Sequence, residues 1–390
     1  MPNITSAASA VSNRVTAWRR GFHMHPELSY RETSTGETVR AVLAELNIPV
    51  VRPPNSESFY AVLNGSVPGP ATLLRADMDA LPIQEISEQP YKSQCDGVMH
   101  ACGHDAHTAM MLGAAVVLNE LRTEPHAPVV FCFQSAEEVS GGAVELLDAL
   151  RESRLEIGMA AGLHIWSPIP TGRIQIIYGP AMAGLYAFKI TLTGRGGHGS
   201  RPDLSLDPIK PLCDLVLRLS ALPSRLISPL DSASVHIGCI EGGTLGNIFP
   251  DTASLQGGVR FFKPEHHRLF KDAIDNLTRA TAAEWGVTAD IQELSSLPPV
   301  INSPGAVSRA RAAAGYIPGL ALYEPQTPLC ASDNIGLFLR EYPGVYAFLG
   351  CGNREKGITW EHHNARFDID EDALRLGVEF LCRFALQPLS

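Results

Sequence analysis

Short apolar runs that alternate with stretches of helical period constrain this chain more than any other feature. The runs fall at residues 59–63, 71–76, 129–133 and 159–165, and helices are expected over 8–22, 35–46, 107–122 and 143–151. A run that is apolar at every position fits a strand covered on both faces, and the intervening helices supply the cover. The order predicts a three-layer α/β body with a mainly parallel sheet. Ser34 with Glu37 three residues on reads as a capping box at the second helix, whose buried face is Val39, Val42, Leu43 and Leu46. A strand over 344–350 and a helix over 371–386 return to the same pattern near the end.

The middle third follows another rule. Tyr186, Phe188, Ile190 and Leu192 alternate strictly with Ala187, Lys189, Thr191 and Thr193, as in a strand with one wet face. A helix opened by Pro208, strands over 233–240 and 253–262, a helix over 265–285 and a strand over 287–293 come next. That succession is β-α-β-β-α-β, the ferredoxin-like split unit. The expected organisation is therefore a catalytic α/β domain over 1–184 and 294–390, interrupted by an α+β lid and dimerisation domain over 185–293. Two domains also suit a chain of 390 residues.

Composition narrows the partners. A formal net charge of -10 with no basic run repels phosphate backbones and anionic lipid, which argues against nucleic acid and membrane partners. No apolar stretch reaches membrane-spanning length and the front lacks a signal-peptide core, so a cytoplasmic location is expected. Arg14, Arg19 and Arg20 precede the first acidic residue, Glu27, a bias shared with transit peptides. Val11, Val15, Trp18 and Phe22 nonetheless form the apolar stripe of a helix that packs on a core. The eight cysteines are scattered as reduced thiols are, not spaced as a disulfide framework.

The chemistry concentrates between Val98 and His107, where His100, Cys102, His104, Asp105 and His107 crowd into one turn before a helix. Such crowding suits either a metal or a surface cluster of histidines, and further ligands must come from elsewhere. The run 129–133 leads to Glu137 and Glu138, another apolar run delivers His164, and Glu361-His-His-Asn364 lies between the last strand and the last helix. Sites in α/β folds form at such strand ends. One at a time, a solvated loop explains the glutamates and a satisfied core histidine explains His164. Together, carboxylates at the end of a buried strand call for a cation.

With these residues in view the chain resembles the metallo-aminoacylases that include hippurate hydrolases and the plant hydrolases of indoleacetic acid conjugates. The matching segments are His23-Met-His-Pro-Glu27, Leu74-Arg-Ala-Asp-Met-Asp-Ala-Leu-Pro82, His100-Ala-Cys-Gly-His-Asp-Ala-His107, Phe133-Gln-Ser-Ala-Glu-Glu138 and Gly162-Leu-His164. Gly194-Arg-Gly-Gly-His-Gly199, Asn247-Ile-Phe-Pro-Asp251 and His363-Asn-Ala-Arg-Phe-Asp368 complete the set in family order. Ser135 and Ala365 stand where proline is common, and Ala331-Ser-Asp-Asn334 varies a Ser-Glu-Asp motif.

The resemblance implies a zinc-peptidase-like body and hydrolysis of the amide bond of N-acyl amino acids or dipeptide-like substrates. It implies two divalent ions bridged by Cys102 and held by His104, Glu138, His164 and His363, with Glu137 as general base and His198 stabilising the oxyanion. Asp77, Asp79 and Asp105 would orient ligands, while Asn247 and Arg260 are candidates for gripping substrate. Zinc or manganese is expected, with cobalt or nickel as further fits to thiolate and imidazole. A homodimer or higher homo-oligomer is expected from the lid sheet. Two alternatives stay open: a cysteine hydrolase with Cys102 as nucleophile, which leaves Glu138, His164 and His363 unexplained, and a non-catalytic metal-binding protein, which gives Glu137 no task.

Overall fold

The computed structural model describes residues 3–121, 127–324 and 326–387. Helices α1 (Ile4–Met24) and α2 (Thr33–Glu45) come first, then strands β1 (Val50–Val51), β2 (Phe59–Leu63) and β3 (Ala71–Asp77). Helix α3 (His104–Glu120) precedes β4 (Val129–Gln134), α4 (Ala143–Ser153), the long β5 (Ile157–Pro170) and β6 (Arg173–Gln175). Next come β7 (Gly179–Met182), β8 (Gly184–Thr193), β9 (Gly197–His198), α5 (Ile209–Ser220) and α6 (Leu222–Leu226). Strands β10 (Ala233–Gly242), β11 (Ile248–Phe249) and β12 (Thr252–Phe261) lead to α7 (Pro264–Trp285), β13 (Thr288–Leu297) and β14 (Val300–Asn302). The chain finishes with α8 (Pro304–Gly315), β15 (Ala321–Leu322), α9 (Ile335–Glu341), β16 (Gly344–Gly352) and α10 (Asp372–Leu386).

Contacts divide the chain into two compact units. The first comprises Met1–Ala181, Ile301–Pro328 and Leu337–Ser390. It holds an eight-stranded sheet in the order β1-β2-β4-β3-β5-β16-β6-β15. The four central strands run parallel, while β1, β2 and β6 pair antiparallel to their inner neighbours. Every residue of β3, β4 and β16 is buried, as strands covered on both faces must be. Helices α1, α3 and α10 pack on one another, α3 also meets β3, β4 and β5, α10 meets β16 and β3, and α8 packs on β16 and β5.

Two helix starts differ from the sequence expectation. At α2 the capping box is not made: the cap residue is Glu32, and the backbone N–H groups of Ser34 and Thr35 donate to the carboxylate of Glu27 at 3.0 and 2.8 Å. A carboxylate beyond the helix thus satisfies the orphan donors. Helix α3 begins at His104 rather than 107, because Gly103 supplies the turn with φ 86. A Cβ at Gly103 would lie 2.2 Å from Ile165 Cδ1, so both conformation and space demand glycine there.

The second unit is Met182–Val300 with Leu329–Gly336. Its four-stranded sheet has the order β10-β12-β8-β13, antiparallel throughout, which is the β-α-β-β-α-β arrangement read from the sequence. Tyr186, Phe188, Ile190 and Leu192 of β8 are buried with Leu212, Leu215 and Leu219 of α5 and Phe270 and Ile274 of α7. Each such side chain contributes about 1.5–3 kcal/mol on burial. The sequence-distant Leu329 bridges Met182, and Ser332 Oγ donates to Ala183 O at 2.8 Å.

Candidate active site

The parallel strands stop at a common level. Asp77, the last residue of β3, pairs with Gln134, the last of β4. Arg75 pairs with Gly162 of β5, so two residues on His164 stands beside Asp77. Strand β5 continues to Pro170, which places His164 inside a strand and not at its end as the sequence suggested. From β4 the chain passes through Ala136, left-handed at φ 57, into one 3-10 turn, Glu137–Val139. His363 arrives on the loop after β16, also left-handed at φ 64, with its N–H donating to Ala101 O at 2.8 Å. Two non-glycine residues in that region at one site mark backbone held against its preference.

These elements bring Cys102, His104, Glu138, His164 and His363 together. Two groups of ligand atoms, Cys102 with His104 and His164 and Cys102 with Glu138 and His363, each lie within 4.8 Å of one another and share the thiol. Cys102 Sγ is 3.6 Å from His164 Nε2, and Glu138 Oε1 is 3.4 Å from His363 Nε2 and 3.9 Å from His104 Nε2. His104, Glu137 and Glu138 form a further overlapping group.

Outer partners fix which nitrogen each ring presents. Asp79 Oδ1 lies 3.1 Å from His104 Nδ1, and His164 Nδ1 donates to Ile165 O at 2.5 Å, so both rings spend Nδ1 on these partners and leave Nε2 for the site. The other oxygen of Asp79 accepts from Ser29 Oγ at 2.7 Å and from Glu138 N at 3.0 Å. One carboxylate therefore orients both His104 and the Glu138 turn. His107 Nδ1 donates to Asp77 Oδ1 at 2.6 Å, and its Nε2 accepts the Ile165 N–H at 3.0 Å, which leaves it no lone pair for a metal. Asp77 is also paired with Arg75 at 2.6 Å.

Electrostatics follow from this packing. Burial opposes ionisation of Asp77, yet His104, Arg75 and His107 hold it well below the usual carboxylate range. Burial likewise disfavours a charged His104, but Asp77, Cys102 and Asp79 raise it well above an ordinary histidine. Burial, His107 and His362 push His164 far down, so that it stays neutral. Burial and the Glu138 carboxylate drive the Cys102 thiol well up.

Asp105 faces elsewhere. Its Oδ2 meets His23 Nδ1 at 2.7 Å and Arg19 Nε at 2.9 Å, so among the described residues its hydrogen bonds go to α1 and not to the five candidate ligands. Arg19 is fully buried and also pairs with Asp368 at 3.1 Å and Glu371 at 3.4 Å. This network, which the sequence reasoning missed, ties α1 to the first turn of α3 next to His104. A signal existed: Arg19 lies four residues after Val15 and eight after Val11, so a charge on the buried face of α1 had to be matched. Glu32 and Ser58, which hold the turn before Glu137, carried no comparable mark.

His198, Asn247 and Arg260 belong to the second unit. His198 is exposed on β9, opposite Ile248, and Gly199 N donates to Asn247 O at 2.8 Å. Ser200 N donates to His198 Nδ1 at 3.1 Å; a backbone N–H can only donate, so the ring's proton sits on the outward Nε2. Arg260 is half-buried and donates to Ser332 Oγ, and burial lowers its guanidinium.

The donor set fits divalent metal. His104 Nε2 and Glu138 Oε1 are buried and lack a hydrogen-bond partner among the described residues. Each would cost about 1–3 kcal/mol if nothing met it. A thiol, three imidazole nitrogens and a carboxylate oxygen gathered within a few ångströms are what a cation needs and what a bare cluster would not retain.

Comparison with known proteins agrees. The model of Peptidase family M20/M25/M40 matches residues 73–387. N-acetylcysteine deacetylase of Bacillus subtilis (strain 168) is 34% identical over 383 residues, covering 97% of this chain and 98% of that protein. IAA-amino acid hydrolase ILR1-like 4 of Arabidopsis thaliana is 33% identical over 376 residues, 95% of this chain and 84% of its own. Among solved structures, the Bacillus subtilis YXEP protein, described as a dinuclear metal binding peptidase from the M20 family, superposes with a TM-score of 0.81 at 31% identity, covering 97% of this chain and 98% of that one.

Proposed function

The chain belongs to peptidase family M20/M25/M40 and is a metal-dependent hydrolase of amide bonds, and from that premise we propose that it cleaves N-acyl amino acids or dipeptide-like amides with two divalent ions. Cys102 would bridge them, with His104 and His164 on one side and Glu138 and His363 on the other. The observation that carries this reading is the shared thiol between two ligand groups, with buried, unpartnered nitrogen and oxygen facing it. Support for two ions comes from the dinuclear relative. Support for the substrate class comes from relatives named for N-acetylcysteine and for IAA-amino acid conjugates, names that each join an acyl group to an amino acid. Thiolate and imidazole favour zinc, cobalt or nickel, while the carboxylate also admits manganese.

When bound, divalent cations supply Lewis acidity, which polarises a carbonyl and brings the pKa of water toward neutrality. Glu137, beside the ligand Glu138 yet outside both groups that share the thiol, takes the proton of the attacking water on its carboxylate and passes it to the leaving nitrogen. Asp79 and Ile165 O keep the imidazoles in the tautomer that leaves Nε2 free. In the second unit, His198 offers an Nε2–H donor for the oxyanion, with Asn247 and Arg260 as candidates for the substrate's carbonyl or carboxylate. The second unit also exposes Ile240, Leu245 and Leu294, which supports a homodimer with this unit at its interface. A monomer mass by light scattering would remove that part of the reading.

Metal analysis with the Glu137→Gln variant tests the centre. We expect about two ions per chain, loss of turnover in EDTA with recovery in manganese or zinc, and a variant that keeps its metal while turnover drops about 10²–10⁴-fold. Full activity of the variant, or chelator-resistant turnover stopped by alkylation, would replace this mechanism with a Cys102 nucleophile. Against that alternative stands the ligand set, since a cysteine nucleophile gives Glu138 and His363, which meet at the same thiol, no task.

A further inference from the structure

The turn that carries Glu137 and Glu138 hangs from three side chains of three separate connecting segments. Ser135 N donates to Ser58 Oγ at 2.9 Å, Ala136 N to Glu32 Oε1 at 2.7 Å, and Glu138 N to Asp79 Oδ2 at 3.0 Å. Asp79 touches the ligand His104 and is accounted for above. Glu32 touches no ligand, has no part in the hydrolytic steps, and is fully buried all the same. Its carboxyl makes no cap bond to α2, whose first donors are met by Glu27, so the cost of burying it is offset elsewhere.

What Glu32 holds is unusual backbone. Ala136 is left-handed at φ 57, a region where an L-residue is strained, and the next residues are Glu137 and Glu138. Ser140 is left-handed at φ 61, and Gly141 N closes the turn on Ala136 O at 2.7 Å. With Ala136 relaxed to an ordinary φ, the chain direction changes one residue before the proposed general base. The hydrogen bond from Ala136 N to Glu32 therefore acts on the position of Glu137 through the main chain.

We propose that Glu32 is a positioning residue for amide hydrolysis: by accepting the Ala136 N–H it fixes the left-handed turn that aims the Glu137 carboxylate and seats Glu138. This inference rests on the roles given above to Glu137 and Glu138. It needs the acceptor oxygen of Glu32, not its charge, so glutamine should serve in its place.

The test compares Glu32→Ala, Glu32→Gln and the double variant Glu32→Ala with Ala136→Gly, each in the full chain reconstituted with manganese and assayed on an N-acetyl amino acid. Glu32→Ala should lower kcat about 10- to 100-fold with KM within about twofold and bound metal unchanged. Glu32→Gln should stay within about threefold of the parent, since its amide oxygen still accepts from Ala136 N. Glycine at 136 holds φ > 0 without strain, so the double variant should regain part of the lost kcat. Hydrogen exchange gives a readout apart from turnover: the amides of 136–138 should exchange faster in Glu32→Ala and be protected again in Glu32→Gln. The proposal is overturned by unchanged kcat or unchanged exchange in Glu32→Ala, by a glutamine variant as impaired as alanine, by no recovery with glycine, or by activity lost only in step with metal. Should Glu137→Gln prove fully active, the reading of the centre fails, while the exchange data still decide whether Glu32 holds the turn.

Discussion

The first unit buries a network of charge, whereas the strands and helices of the second bury hydrocarbon, with Asp333 as a buried carboxylate on its loop. Around the ligand turns of the first, Arg19, His23, Arg75, Asp77, Asp79, Glu85 and Asp105 are almost wholly inaccessible and are joined by short hydrogen bonds. In the strands and helices of the second unit, the buried polar residues are Ser254, His266, Thr278 and Thr281, among apolar neighbours such as Phe188, Phe270 and Ile274. Its ion pairs, such as Arg218 with Asp214 and Glu284, lie at the surface. The difference teaches where precision is built. An apolar core tolerates repacking, whereas a buried polar network has one satisfactory arrangement and penalises others by whole unpaired charges. The rigid geometry that a metal centre requires is therefore found in the unit that carries the candidate ligands.

The largest expected effect comes from breaking that network. Arg19→Met keeps much of the side-chain volume but leaves Asp105 buried with His23 alone, and strips Asp368 and Glu371 of a partner. Burial opposes the charge on Arg19, yet Asp105 and Asp368 raise its guanidinium above the ordinary arginine value. Removing one member of such a set costs about 3–5 kcal/mol. The variant should unfold at a markedly lower urea concentration and hold its metal less tightly, because Asp105 sits in the first turn of α3 beside His104. An unchanged midpoint would show that the buried charges are not what stiffens this unit.

A middle-sized effect, opposite in sign, sharpens the same point at Glu32. Burial raises its pKa from 4.5 to about 7, with the Asp79 carboxylate adding to the rise and the Ala136 N–H working against it. The folded state thus keeps a proton that the unfolded chain gives up, so the contribution to stability is full below 4.5 and is lost as pH rises through about 7. The loss is on the order of 3 kcal/mol. Glu32→Gln cannot ionise, so it should melt with the parent near pH 5 and above it near pH 8. Equal melting temperatures at both pH values would mean that the carboxyl is solvated and not held as its burial indicates.

Much of this was legible in the sequence because the strong periods are long. The strict alternation of 186–193 and the apolar runs at 71–76, 129–133 and 344–350 each became a strand, since a face buried along its whole length leaves a full-length pattern. Strands β1, β6, β11 and β15 have two or three residues, too few to show any period. The segments that hold the five ligand candidates stood out by residue type, the resemblance to the metallo-aminoacylases chose among their residues, and the fold brings those five together. Their supports were not visible in the same way. Glu27 caps α2 from outside the helix, Glu32 reaches 104 residues along the chain to Ala136, and Leu329–Gly336 joins a unit from which it is separated in sequence. The last two depend on tertiary packing across long separations, and the Glu27 contact, only seven and eight residues long, falls outside the Ser-to-Glu spacing of a capping box, so none left a local pattern to read.

The smallest effect belongs to the second unit's surface. Arg218 on α5 lies 2.7 Å from Asp214 and 3.0 Å from Glu284 of α7, with a longer contact of 3.4 Å to the Thr281 hydroxyl. All three charges are in reach of water, which solvates them as well when the pair is broken, and holding three long side chains costs entropy that the attraction roughly repays. Thr281 can turn its hydroxyl to a carbonyl of its own helix once the guanidinium is gone. Arg218→Ala should therefore shift the melting temperature by no more than about 1 °C, and added salt should erase even that. A fall comparable to that of Arg19→Met would break the contrast between the units, because it would show an exposed ion pair acting with the force of a buried one.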